Sequence, residues 1–197
     1  NSNNVLTSWI NDGIYDLRKR KINNTKSPAM DILKSSNIER VLYHKFTAKR
    51  VKELMDNLDE KNYFELSKLE LKELQKDFSA YWADDDYCKE KINFYFKKNY
   101  ILDPHTATCL KAYKKNEKIN IIYSTAEWSK FSTTTINAID GNDLIDNDID
   151  AINKLETKHN LKLSKQISDV LKKDIIQNEI VNIDDVSKQV FDFIRNN

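Results

Sequence analysis

The chain has 197 residues, 40% of them hydrophobic, and its 32 Lys/Arg against 31 Asp/Glu leave a net charge of +1. That length suits one ordinary domain or a large part of one, and the charge balance excludes a general attraction to nucleic acid or to anionic membrane. No apolar run approaches the ~18 residues needed to span a bilayer, and no basic-then-apolar signal segment opens the sequence.

The opening "NSNNVLTSWI" lacks an initiator Met and starts in mid-pattern, which reads as a cut chain. Ser27-Pro28 is a helix-entry signature, with Asp31 in the first turn where a carboxylate suits the dipole. Ser36 with Glu39 reads as a capping box before Ile38, Val41, Leu42 and Phe46. Thr47 caps a helix whose Val51, Leu54, Met55 and Leu58 recur at helical spacing. "YFEL", Tyr63 to Leu66, is a weak strand signal. Ser67 with Glu70 makes a second capping box before Leu71, Leu74 and Phe78. Asp84 caps a helix carrying Cys88, Ile92, Tyr95 and Phe96.

"DPHTATCLKAYKK" begins with Asp103 as N-cap and Pro104 at the first helical position, where the missing N–H costs nothing. Thr106, Cys109, Leu110 and Tyr113 then face the core, and His105 sits in the first turn, near N–H groups open to an anion. "NIIYS", Asn120 to Ser124, is apolar, β-branched and aromatic, and predicts a short buried strand running out into Ser124 and Thr125. "DGNDLIDNDID", Asp140 to Asp150, reads as a loop. Ile167, Val170 and Leu171 form one late apolar stripe, and Val186, Val190, Phe193 and Ile194 form the last. The pattern is a predominantly helical α/β chain. One or two strands cannot make a self-contained sheet, so either the chain is all-α or its sheet is completed by residues outside it.

The chemistry is sparse. Gly occurs twice, at Gly13 and Gly141, where the usual frequency would give about 14. A Gly-rich phosphate cradle is therefore excluded, because such cradles need close backbone approach to the anion. Cys88 and Cys109 lie far apart within helical patterns and read as free thiols of a reducing cytoplasm. His44, His105 and His159 have no metal-ligand spacing. Small hydroxyl residues at a strand's carboxyl end can meet a ligand without filling its pocket, or they can simply cap the next helix. Lys130 reads as a surface charge.

The ordered segments "DGIYDLRKRK", "SPAMDILKSSNIER", "DPHTA" and "STAEWSKF" resemble the C-terminal part of the pyridoxal-phosphate-dependent threonine synthases, and the likeness extends over essentially the whole chain. Ala29, Thr108 and Cys109 depart from the family's commoner residues. The resemblance implies a fold type II enzyme that converts O-phosphohomoserine and water to threonine and phosphate. It implies a Schiff-base lysine and a Gly-rich phosphate loop in an earlier segment. The chain's partner is then the N-terminal portion of the same enzyme, which supplies the remaining strands. By the resemblance Thr125, or failing it Ser124, meets the cofactor's ring nitrogen, as a donor to a neutral nitrogen. His105 and Thr106 become pocket-side residues, while Asp31, Asn37 and Lys130 match family positions without a defined role. Residues 1–140 would belong to the catalytic domain and residues 141–197 to a helical extension. No catalytic residue, no metal site and no activity are expected of this chain alone, and the location expected is cytoplasmic. Periodicity by itself favours a rival, a helical interaction or regulatory module without ligand; a nucleic-acid-binding role stands third and is disfavoured by the charge balance.

Overall fold

The computed structural model describes residues 1–113, 119–141, 145–176 and 178–196. They divide into two units, Asn1–Leu161 and Lys162–Asn197.

The first unit opens with α1 (Val5–Asp12), which Gly13 ends in the left-handed conformation at φ 79°. The chain reverses there into β1 (Ile14–Asp16). After a long connection come α2 (Ile38–Lys45), α3 (Ala48–Lys61) and β2 (Tyr63–Glu65). β1 and β2 form a two-stranded antiparallel sheet with Tyr15 opposite Phe64. α4 (Lys68–Leu74) follows. These elements share one core. Tyr15 and Phe64 stack at 5.2 Å between ring centroids, and Trp9 meets both edge-on at 6.4 Å, geometries that aromatic quadrupoles favour. Tyr15 is fully buried, yet its hydroxyl donates to the Leu33 carbonyl at 2.7 Å and accepts from the Ser35 N–H at 2.9 Å. The phenol thus pins the connection that leads from the Pro28–Met30 turn to α2.

A second core joins α5 (Asp85–Phe96), α6 (Pro104–Cys109) and α7 (Ser132–Asp140) through Cys88, Ile92, Leu102, Ala107 and Ala138. Asn93 fastens α5 to α7 by donating to the Ala138 and Ile139 carbonyls, both at 3.0 Å. α8 (Asp148–His159) packs on α7 through buried Ala151, Ile152 and Leu155. Asp140, at the end of α7, accepts from Lys158 at 2.8 Å and from His159 at 2.9 Å. The second unit holds α9 (Lys165–Leu171) and α10 (Val186–Asn196), and the apolar stripe Val186, Val190, Phe193 and Ile194 lies on one exposed face of α10.

The Thr47, Asp84 and Asp103 caps and the Ser67–Glu70 capping box are present as the sequence predicts. Four expectations are corrected. The Ser36–Glu39 box is absent, because the N-cap position of α2 is one residue later, at Asn37, which makes no side-chain cap bond. Ser27-Pro28 opens only a 3-10 turn, Pro28–Met30, and Asp31 lies past its end. The expected strand at Asn120–Ser124 is irregular and exposed, with Ile121 and Tyr123 each at 80% exposure. A strand needs a neighbour, and among the described residues β1 and β2 pair only with each other. The loop from Asp140 to Asp150 is shorter than expected, since α7 includes Asp140 and α8 begins at Asp148; residues 142–144 lie outside the described residues. No described helix is long and apolar enough to cross a membrane.

Gly13 offers a direct check on this fold. Its carbonyl accepts from Leu66 N at 2.9 Å, and an added Cβ would meet Leu71 at an ordinary 3.4 Å. The cost of Gly13→Ala is therefore mainly its positive φ, about 1–2 kcal/mol. Urea denaturation should show a lower midpoint with an unchanged m-value.

Candidate functional site

α6 begins at Asp103 because an extended acidic residue followed by Pro is a strong helix start. The Asp103 carboxylate is 3% exposed and has every oxygen engaged. Oδ1 accepts from the His105 N–H at 2.8 Å, from the Thr106 N–H at 3.2 Å and from His105 Nδ1 at 3.2 Å. Oδ2 accepts from the Thr106 hydroxyl in a very short contact. Burial works against the charge, but these hydrogen bonds outweigh it and hold the carboxyl below its ordinary pKa. The N–H groups of His105 and Thr106, which the sequence left open to an external anion, are thus taken by the chain's own carboxylate.

His105 is 4% exposed, and its Nε2 accepts from the Ala29 N–H at 3.0 Å. An acceptor nitrogen carries no proton, so the proton sits on Nδ1 and faces Asp103. The Phe131 ring lies 4.2 Å from the imidazole centroid and closes its other side. His105 therefore ties the start of α6 to the Pro28–Met30 turn.

Thr106 reaches the other way. Its Oγ1 accepts from the Thr125 N–H at 3.0 Å and lies 3.3 Å from Thr125 Oγ1. Thr125 is exposed and stands on the wall of a cleft of about 700 Å³, with Asn1, Asn3, Ala29, Met30 and Thr108 among the other lining residues. Ser124 points elsewhere. It lines a separate hollow of about 140 Å³ beside Tyr95, Tyr100 and Leu102, and its hydroxyl donates to the Ala126 carbonyl at 3.4 Å. The structure thus separates two adjacent hydroxyls that the sequence could not rank by position.

Asp31 holds two of the other lining residues, Asn1 and Asn3. Its Oδ1 accepts from Asn1 Nδ2 at 2.8 Å, Asn3 Nδ2 at 2.9 Å and the Thr25 hydroxyl at 2.7 Å, and its Oδ2 accepts from the Thr25 N–H at 2.9 Å. Asn37 and Lys130 are not brought to the cleft. Asn37 is exposed at the start of α2, and the Lys130 ammonium lies over the neighbouring Phe131 ring at 5.5 Å. Asp103, Asn1 and Asn3 are site residues that the sequence reading passed over. The signal for Asp103 was its spacing, a carboxylate three residues before a Thr in a first helical turn, which permits the backbone and side-chain bonds together.

No Lys, Arg or Gly is found among the described residues lining the cleft. Among the described lining residues Thr125 contributes a hydroxyl, and no side chain contributes a cation.

No family model matches the chain. Human threonine synthase-like 1 is 41% identical over 145 residues, which is 71% of this chain and 20% of that protein. Threonine synthase of Saccharomyces cerevisiae is 31% identical over 211 residues, 93% of this chain and 41% of that protein. A crystal structure of threonine synthase from yeast superposes with a TM-score of 0.77 at 26% identity, covering 100% of this chain and 41% of the other. A crystal structure of threonine synthase from Brucella melitensis with bound pyridoxal phosphate gives a TM-score of 0.64 at 31% identity, covering 70% of this chain and 30% of the other. The chain therefore spans between a fifth and about two fifths of the length of these relatives.

The depressed Asp103 carboxyl makes a stability prediction with a definite sign. Its contribution is fully present above the ordinary value of 3.8 and is lost as pH falls through the lowered folded value. Asp103→Ala should lower stability near neutrality by about 1 kcal/mol, as loss of an N-cap side chain does. It should also flatten the acid limb of a plot of denaturation midpoint against pH.

Proposed function

The chain belongs to the threonine synthase family, and on that premise we propose that it is the C-terminal portion of a cytoplasmic, pyridoxal-phosphate-dependent threonine synthase acting on O-phosphohomoserine. Bound in the cleft, pyridoxal phosphate supplies an electron sink for the substrate's successive proton shifts. The single observation that carries the reading is Thr125, whose hydroxyl stands on the cleft wall and is steadied from behind by Thr106. We assign Thr125, rather than Ser124, to the cofactor's ring nitrogen. His105 and Asp103 position Thr106 and the Ala29 turn, and Asp31 positions Asn1 and Asn3 in the cleft lining. Residues 1–140 contribute to the catalytic domain and residues 141–197 extend it. The lysine and the phosphate-binding loop come from the N-terminal portion, which agrees with the absence of Lys and Gly among the described lining residues. This chain alone is inactive in this reading.

The test uses the enzyme completed by its N-terminal portion. It should release phosphate from O-phosphohomoserine, and borohydride reduction with pyridoxal phosphate should label one lysine outside these 197 residues. A stoichiometric label on a lysine of this chain would refute the division of labour. Thr125→Val should keep the fold and weaken cofactor binding about fivefold, the equivalent of one hydrogen bond of ~1 kcal/mol. Ser124→Ala, on the far side of the wall, should leave cofactor affinity unchanged. The reverse pattern in a cofactor titration would move the assignment to Ser124.

A further inference from the structure

His105 is buried, and both of its ring nitrogens are engaged. A neutral imidazole has one N–H and one acceptor nitrogen. The Ala29 N–H points at Nε2 from 3.0 Å, so the proton is on Nδ1, 3.2 Å from Asp103 Oδ1. A second proton can enter only at Nε2, and the imidazolium then has a donor on each side. The Nδ1 side gains, because a cation now faces the Asp103 carboxylate. The Nε2 side loses, because two N–H groups face each other where one hydrogen bond stood. The ring therefore stays with Asp103 at the start of α6, and the Ala29 contact breaks. The other charged groups on the elements around the ring are engaged elsewhere. Lys130 lies over the Phe131 ring at 5.5 Å, and Phe131 covers the imidazole. Glu127, at the start of the same 3-10 turn, accepts from the Ser129 N–H and hydroxyl. Asp31, just past the Pro28–Met30 turn, is held by Asn1, Asn3 and Thr25.

We propose that His105 is a proton-sensitive positioning residue: when neutral it holds the Pro28–Met30 turn against the start of α6, and when protonated it releases that turn, so that the cleft loses its Ala29–Met30 lining in acid. Ala29 and Met30 both line the cleft, and His105 itself does not. The bonds within this segment, from Met30 N to the Ser27 carbonyl and from Asp31 N to the Pro28 carbonyl, keep its shape without tying it to α6. The other tie to α6 is the Thr108 hydroxyl, 3.7 Å from Met30 Sδ, and a thioether is a weak acceptor. The imidazole is the stronger of these two ties. Release leaves α6 itself intact, because Asp103 still accepts from the His105 and Thr106 N–H groups. A ligand that needs Ala29 and Met30 in place must restore the contact and expel the proton, so that binding and protonation oppose each other. With pyridoxal phosphate as that ligand, the affinity readout rests on the cofactor reading made above.

The experiment follows three signals through a pH titration of the enzyme completed by its N-terminal portion. They are the His105 ring nitrogens by ¹⁵N NMR, the Met30 methyl by ¹³C NMR, and the affinity for pyridoxal phosphate by equilibrium dialysis. The NMR signals are assigned by their loss in His105→Gln and Met30→Leu. Near neutrality Nε2 should give the shift of a bare ring nitrogen and Nδ1 that of an N–H. As acid converts both to the imidazolium type, the Met30 methyl should move in step, and cofactor affinity should fall about fivefold, the equivalent of one hydrogen bond. His105→Gln offers the Ala29 N–H an amide oxygen that does not titrate. It should bind the cofactor as the native enzyme does near neutrality, and its Met30 signal and affinity should not change over that pH range. A proton on Nε2 near neutrality would overturn the proposal. So would a His105 that stays neutral until the enzyme unfolds, or a Met30 signal that stays in place while His105 takes up its proton. These native readings decide even where His105→Gln does not fold. A folded His105→Gln enzyme whose affinity falls in acid as the native one does would assign the effect to another group and overturn the proposal. Failure of the native enzyme to bind pyridoxal phosphate near neutrality would overturn the cofactor reading, while the His105 and Met30 signals still decide the switch.

Discussion

The candidate site depends on one buried carboxylate. Asp103 starts α6, and its two oxygens then divide the work. Oδ1 collects the first-turn N–H groups and the imidazole, and Oδ2 collects the Thr106 hydroxyl. From there two arms extend, through His105 to the Ala29 N–H and through Thr106 to Thr125. A buried charge is tolerable only when its lone pairs are met. Satisfying them forces His105 and Thr106 into fixed positions, so the electrostatic demand of one residue becomes the geometry of the cleft wall.

A second cluster repeats the principle with a different carboxylate. Asp31 gathers Asn1, Asn3 and Thr25, and Asn1 also donates to Ser27 Oγ at 3.1 Å. Lys26 N donates to Asp85 at the start of α5, and Thr134 of α7 donates to the Lys26 carbonyl. The segment of residues 23–31 has little regular structure, yet it is held by side-chain bonds at several points. It brings the first core, the second core and the cleft into register without a sheet running between them.

The segment from Ile119 to Thr125 behaves differently. Its apolar residues are exposed and it joins no strand. Its end is fixed where Thr125 meets Thr106.

Local structure was legible where a residue acts on its immediate neighbours. The caps at Thr47, Ser67, Asp84 and Asp103 and the stripes on α3 and α5 follow from hydrogen-bonding capacity and helical period alone. The Ser36 box failed because the same residue types also fit a helix that starts one residue later. The strand at Ile121 failed because strand formation is decided by partners, and the sequence of a strand does not contain them. At the site, the sequence by itself determined that Asp103, His105, Thr106, Ser124 and Thr125 are present in helix-start and strand-end patterns. Only the tertiary structure decided which hydroxyl faces the cleft and that His105 reaches back to Ala29. Those outcomes depend on contacts between residues 19 to 76 positions apart, and no local preference of either partner encodes them.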